Sequence, residues 1–355
     1  MAGGPGENAV RIPRYANIWL PGYLQDRWSR WLAPGRQPKR LWLAITDHYE
    51  PFWRNTDETL ARERVILWQK YWPEIARRYS DSSGRPARYS FFYPEEEYRP
   101  ELLDMLADLT RQGVGDVEVH LHHDGEGEQN FVDRMSGFIE TLSHRHGLLR
   151  MRHGTPAFGF IHGNWALDNS RPDGRWCGLN DEITLLRKLG CYADFTMPSG
   201  ASPTQGRILN RIYWVTDDPQ KPKSYDTGET LRPGESEAGD LLMIPGPFGL
   251  RWGNGRWIPR IECAEIAAQD LATPYRVRRW LDLAPRIGED IFLKLHTHGT
   301  QEKNSTALLL QGGLDRLYES VGMECRRRDM KYYFVTAWQM WQAIDALRRQ
   351  ENPVQ

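Results

Sequence analysis

Seven of the ten histidines gather in four places: Asp47-His48, His120-Leu121-His122-His123-Asp124, His162, and His296-Thr297-His298. Imidazole and carboxylate are the ligands that a borderline divalent cation such as zinc takes, usually with water in an open position. Alternate residues of an extended chain share a face, so His120 and His122 would point together. Asp124 would return toward them where the chain bends, and Asp47-His48 would bring an acid and an imidazole from a neighbouring strand. Clusters of titratable groups of this kind mark functional sites. His144, His146 and His153 read instead as solvated surface.

These residues must be positioned by the elements that precede them. Apolar runs recur at Leu41–Ile45, Arg88–Tyr93, Val117–Leu121, Ala157–Ile161, Tyr192–Met197, Leu241–Ile244, Ile291–Leu295 and Tyr332–Val335, most of them separated by stretches of helical spacing. Strands alternating with helices predict an α/β fold with parallel strands and right-handed crossovers. Seven or eight units predict a (β/α)7-8 barrel, complete or incomplete, with the site at the C-terminal ends of the strands. The histidines close four of the runs, and the acidic triplet Glu95–Glu97 closes the second. Residues 1–40 read as an N-terminal extension packing on the barrel. Residues 41–350 read as the barrel, with a Pro- and Gly-rich inserted loop around 202–240. Arg251–Arg260 reads as a surface hairpin turning at Asn254-Gly255.

Composition narrows the function classes. The 355 residues carry 46 Lys+Arg against 47 Asp+Glu, a net charge of -1, which argues against a nucleic-acid partner. No apolar run is long enough for a transmembrane segment, and no signal peptide is visible at the start. Cys177, Cys191, Cys263 and Cys325 are scattered without CxxC spacing and read as reduced thiols, which predicts a cytoplasmic protein. Most of the 15 tryptophans are expected to pack in the core.

Ile45-Thr46-Asp47-His48, Asp116-Val117-Glu118-Val119-His120 with Asp124 beyond it, and Ile291-Phe292-Leu293-Lys294-Leu295-His296 follow one another in an order that resembles the polysaccharide deacetylase superfamily (the NodB-type fold, carbohydrate esterase family 4 and relatives). The resemblance spans roughly residues 40 to 345. It implies that Asp47 is the catalytic base, that His48, His120 and Asp124 are metal ligands with His122 beside them, and that His296 is the general acid. Where that family carries an Arg-Pro pair, this chain has Phe160-Ile161-His162-Gly163-Asn164-Trp165. His162, Asn164, Trp165 and His298 would then bind the carbohydrate substrate. The implied activity is metal-dependent hydrolysis of N- or O-linked acetyl groups of a glycan, with zinc as the simplest cofactor. Two other readings stand beside it. One is a glycoside hydrolase using Asp47 with one of Glu95–Glu97 or Asp124. The other is a catalytically silent sugar-binding subunit of a polysaccharide pathway.

Overall fold

The computed structural model describes residues 14–32, 35–252 and 259–353. Its principal strands are β1 (Arg40–His48), β2 (Tyr89–Pro94), β3 (Gly115–Leu121), β4 (Thr155–His162), β5 (Cys191–Asp194), β6 (Tyr213–Val215), β7 (Leu241–Met243), β8 (Asp290–Thr297) and β9 (Lys331–Phe334). The principal helices are α1 (Ala16–Leu32), α2 (Glu58–Arg78), α3 (Pro100–Arg111), α4 (Glu128–Glu140), α5 (Glu182–Lys188), α6 (Pro274–Leu283), α7 (Gly313–Arg327) and α8 (Ala337–Arg348). All eight apolar runs of the sequence contribute a strand. Asp57 caps α2 through Leu60 N, and Thr336 and Gln339 form a capping box at the start of α8.

The central sheet is mostly parallel. It runs β8-β1-β2-β3-β4-β5-β7, β6 joins β7 antiparallel, and the two-residue strand Glu229–Thr230 pairs with β6 beyond it. β6 arises inside the stretch read as an inserted loop, so residues 202–240 are not a plain excursion but supply a strand of the sheet. β9 pairs with the first half of β1, from Arg40 to Leu43, and β2 takes over beside Thr46 to His48. Among the described residues no strand ladder joins the β7–β6 edge to β8. A buried lysine links β8 to the chain after β5: Lys294 donates to Phe195 O at 2.5 Å and Met197 O at 2.9 Å. The barrel is therefore not closed by a continuous ladder.

Alternation sorts each strand between two cores. Leu41, Leu43 and Ile45 of β1 and Leu293 and Leu295 of β8 join Val65 and Trp68 of α2 and Leu102 and Leu106 of α3 on the outer face. Trp42, Ala44 and Phe292 face inward, where Met340, Trp341 and Ile344 of α8 fill the concave side. α1 packs Trp19 and Tyr23 against Leu209, Phe248 and Leu283. Strands Gly249–Arg251 and Arg260–Glu262 pair antiparallel, as a hairpin would, and its turn at Asn254-Gly255 lies outside the described residues, as does the start of the chain up to residue 13. No helix among the described residues is long and apolar enough to cross a membrane. His146 is buried, between Asp104 at 2.9 Å and the Tyr98 hydroxyl at 3.2 Å, a correction to its reading as surface.

Candidate metal centre

The C-terminal ends of β1, β3 and β8 bring His48, His120, His122, His296 and His298 to one place on the inner side of the sheet. Ring centroids lie 5.1 Å apart for His48 and His120, 4.7 Å for His48 and His298, 6.2 Å for His48 and His296, and 4.7 Å for His120 and His122. Glu50 stands among them. Its Oε1 lies 3.4 Å from His120 Nε2 and 3.7 Å from His122 Nε2. The ligand atoms of His48, Glu50 and His298 lie within 4.8 Å of one another, and so do those of Glu50, His120 and His122. Two ligands at about 2.1 Å from a tetrahedral ion stand about 3.4 Å apart, so these separations suit a shared cation.

The hydrogen bonds set the tautomers in the same sense. His120 Nδ1 donates to Ile161 O at 2.7 Å, which turns its Nε2 toward Glu50. His122 Nδ1 meets Glu96 Oε1 at 2.5 Å, which turns its Nε2 toward Glu50 as well. His48 Nε2 is buried with no partner. An orphaned imidazole nitrogen, a carboxylate and two oriented imidazoles are a donor set that fits a divalent cation.

Electrostatics favour the neutral, ligating form of His48 and His298. Burial, helped by the nearby His298, His120 and His296, holds His48 well below the usual imidazole range. Burial likewise lowers His298. Burial works against the charge on Glu50, but its contact with His120 and the fields of His298 and His122 hold it below the ordinary carboxyl value. For His122 burial is outweighed by Glu96 and Glu50, and its pKa rises.

Glu50 was not singled out from the sequence, although it lies two residues after His48, the same alternation that pairs His120 with His122. The acid chosen there, Asp47, is one residue out of phase. Its side chain lies on the outer face, accepting from Tyr89 Oη at 2.9 Å and Gly299 N at 2.7 Å, and it is fully buried. That corrects its assignment as catalytic base. Asp124 is also displaced: it is exposed and accepts from Trp176 N at 2.8 Å, away from the histidines it was expected to join. His162 is fully buried on the outer face beside His123, so it cannot line a substrate site.

Trp165 does meet the cluster. Its ring centroid lies 5.4 Å from that of His48 and 5.7 Å from that of His298. It and Asn164 are held at φ 54°, a left-handed conformation that costs of order 1–3 kcal/mol for each non-glycine residue and is retained mainly at functional sites. Gly163 before them has no room for a side chain, since a Cβ would fall 2.3 Å from His122 Cδ2. Glu50 and His122 open on a cleft of about 780 Å³ whose walls include Trp53, Arg54, Glu96 and Arg99. A second concavity of about 680 Å³, lined by Arg152, Tyr192 and Trp214, lies at the N-terminal ends of β4, β5 and β7, away from the histidines.

No protein-family model matches the chain, and no curated protein matches it. Among solved structures, a 4-alpha-glucanotransferase from Thermococcus litoralis is similar with a TM-score of 0.42 and 10% identity, over 86% of this chain and 40% of that one. The present chain thus spans less than half of that protein's length.

Proposed function

We propose that the protein is a metal-dependent hydrolase that removes acetyl groups from a glycan. The observation that carries the metal is the convergence of four imidazoles on Glu50, with His48 Nε2 buried and unpartnered. Two triads that share Glu50, one with His48 and His298 and the other with His120 and His122, would supply the ligands. When bound there, zinc supplies a Lewis acid and brings the pKa of a water near 7. Glu96 orients His122 through Nδ1. His296, buried with an unpartnered Nδ1 and its pKa held down by burial, takes a proton from the attacking water, the task first given to Asp47, and as general acid returns it to the leaving group. Trp165 offers an apolar face to a sugar ring, and the cleft beyond Glu50 admits the chain. The acetylated glycan comes from the resemblance of the strand-end motifs to the deacetylases.

Zinc-loaded protein is expected to release acetate from acetylated xylo- or chito-oligosaccharides, and chelation is expected to abolish the release. Release that persists in metal-free protein overturns the reading. A glycoside hydrolase remains the second reading because two acids at the cleft are pushed apart. Burial raises Glu97 to about 8 while Glu50 is held low. That pair would cleave a glycosidic bond with chelator present.

A further inference from the structure

We infer a second metal site, closed and structural, formed by His123, His162, Cys177 and Glu182 on the opposite face of the sheet from the first. It does not depend on the hydrolase reading. All four residues are buried, and their ligand-capable atoms lie within 4.8 Å of one another. His123 Nε2 lies 3.0 Å from Glu182 Oε1 and 3.0 Å from His162 Nε2, and His162 Nε2 lies 3.4 Å from Glu182 Oε1. Cys177 Sγ lies 3.3 Å from Glu182 Oε2. The three separations among His123 Nε2, His162 Nε2 and Glu182 Oε1 approach the edges of a tetrahedron around one ion with bonds of about 2.0–2.3 Å, Cys177 stands within 4.8 Å as the fourth donor, and two imidazoles, a thiolate and a carboxylate are ligands that zinc takes.

The surrounding bonds turn the lone pairs inward. His162 Nδ1 is committed to Gly163 O at 2.5 Å, so its Nε2 is an acceptor that faces another imidazole nitrogen. Glu182 Oε2 accepts from Asp168 N at 2.7 Å, which leaves Oε1 toward the two histidines. Cys177 Sγ accepts from Asn169 N at 3.2 Å and Leu179 N at 3.5 Å, so backbone N–H groups are aimed at the sulfur as they are at a thiolate. Without a cation, His162 Nε2 and Glu182 Oε1 compete for the one proton of His123 Nε2, and His123 Nδ1 is left buried with no partner.

The site has a task that the fold explains. Between β4 and α5 the chain makes a long irregular excursion that includes left-handed turns at Asp168, Asn169 and Trp176. Such a segment has little regular hydrogen bonding to fix it. An ion bound by His123 after β3, His162 at the end of β4, Cys177 in the excursion and Glu182 at the start of α5 would tie its two ends and its middle together. Trp165 lies within the tied segment, so the ion would also fix the indole that meets His48 and His298.

Cobalt(II) separates the two centres, because Cys177 is the one thiolate at either. Full-length protein produced in cobalt-supplemented medium is expected to show a thiolate-to-cobalt charge-transfer band in the near ultraviolet. Cys177→Ser should lose that band and one cobalt per chain, whereas Glu50→Gln should lose the other cobalt and keep the band. A wild-type protein that binds cobalt without the band overturns the proposal, as does a band that survives Cys177→Ser. Should Cys177→Ser fail to fold, X-ray absorption of the wild-type zinc protein decides: a sulfur neighbour at about 2.3 Å is expected, and its absence overturns the site. A band with a single cobalt per chain would uphold this site while removing the first.

Discussion

His122 and His123 are bonded neighbours, yet one faces Glu50 and the other faces Glu182 on the far side of the sheet. Asp47 and His48 part in the same way. A strand gives adjacent residues opposite faces, so each pair divides between two environments with different chemistry. The consequence at Asp47 is measurable. Burial outweighs its hydrogen bonds from Gly299 and Tyr89 and raises its pKa from 3.8 to about 8. Between those values the folded chain holds a proton that the unfolded chain has lost, so this group's contribution to stability falls as pH rises. Asp47→Asn is expected to flatten that slope in urea unfolding across pH while zinc binding stays at the wild-type level; loss of the metal would return Asp47 to the site. Glu96→Gln leaves all the ligands in place but weakens the orientation of His122. It is expected to reduce zinc affinity by about 10–100-fold in competition with a chelator, and an unchanged affinity would remove His122 from the coordination.

At the scale of elements, the strands were legible because each is an apolar run between polar ends, and the strand-end histidines stood out for the same reason. Phase was less legible. Asp47 and Glu50 both flank His48, and only the bend after β1, where Glu50 N bonds His48 O at 3.1 Å, shows which acid returns to the inner side. β6 was hidden because Tyr213–Val215 is short and sits in a Pro- and Gly-rich stretch, its strand state decided by pairing with β7 rather than by local preference. The left-handed pair Asn164-Trp165 was hidden too, since neither residue type demands that conformation. Gly163 is the hinge of this arrangement. Gly163→Ala would place a Cβ 2.3 Å from His122 Cδ2 and 2.7 Å from Leu121 O. The expected result is a loss of about 1–3 kcal/mol in urea unfolding together with weaker zinc binding, since the ring must move. Unchanged values of both would mean that the backbone yields freely there.

For the whole molecule, the open seam between the β7–β6 edge and β8 is the feature that the element order did not reveal. Counting strands predicts how many could close a barrel but not whether the last pair meets. Here Lys294, one residue before Leu295 and two before His296, ties β8 to the chain after β5. Burial lowers its pKa to about 7, with Asp194 acting against that shift. Lys294→Met would leave the carbonyl of Phe195 unpaired, at about 1–3 kcal/mol, while Met197 O keeps its bond from Gly246 N at 3.0 Å. Lower stability in urea unfolding is the expected outcome, and an unchanged midpoint would show that the seam is held by other contacts. The seam also sets where β8 lies, and with it His296 and His298.

The most direct measurement is anomalous scattering at the zinc edge from crystals of zinc-loaded protein. A peak is expected on the inner side of the sheet, within coordination distance of Glu50 and of one histidine pair, His48 with His298 or His120 with His122. Zinc-loaded crystals with no peak at either triad would contradict the account.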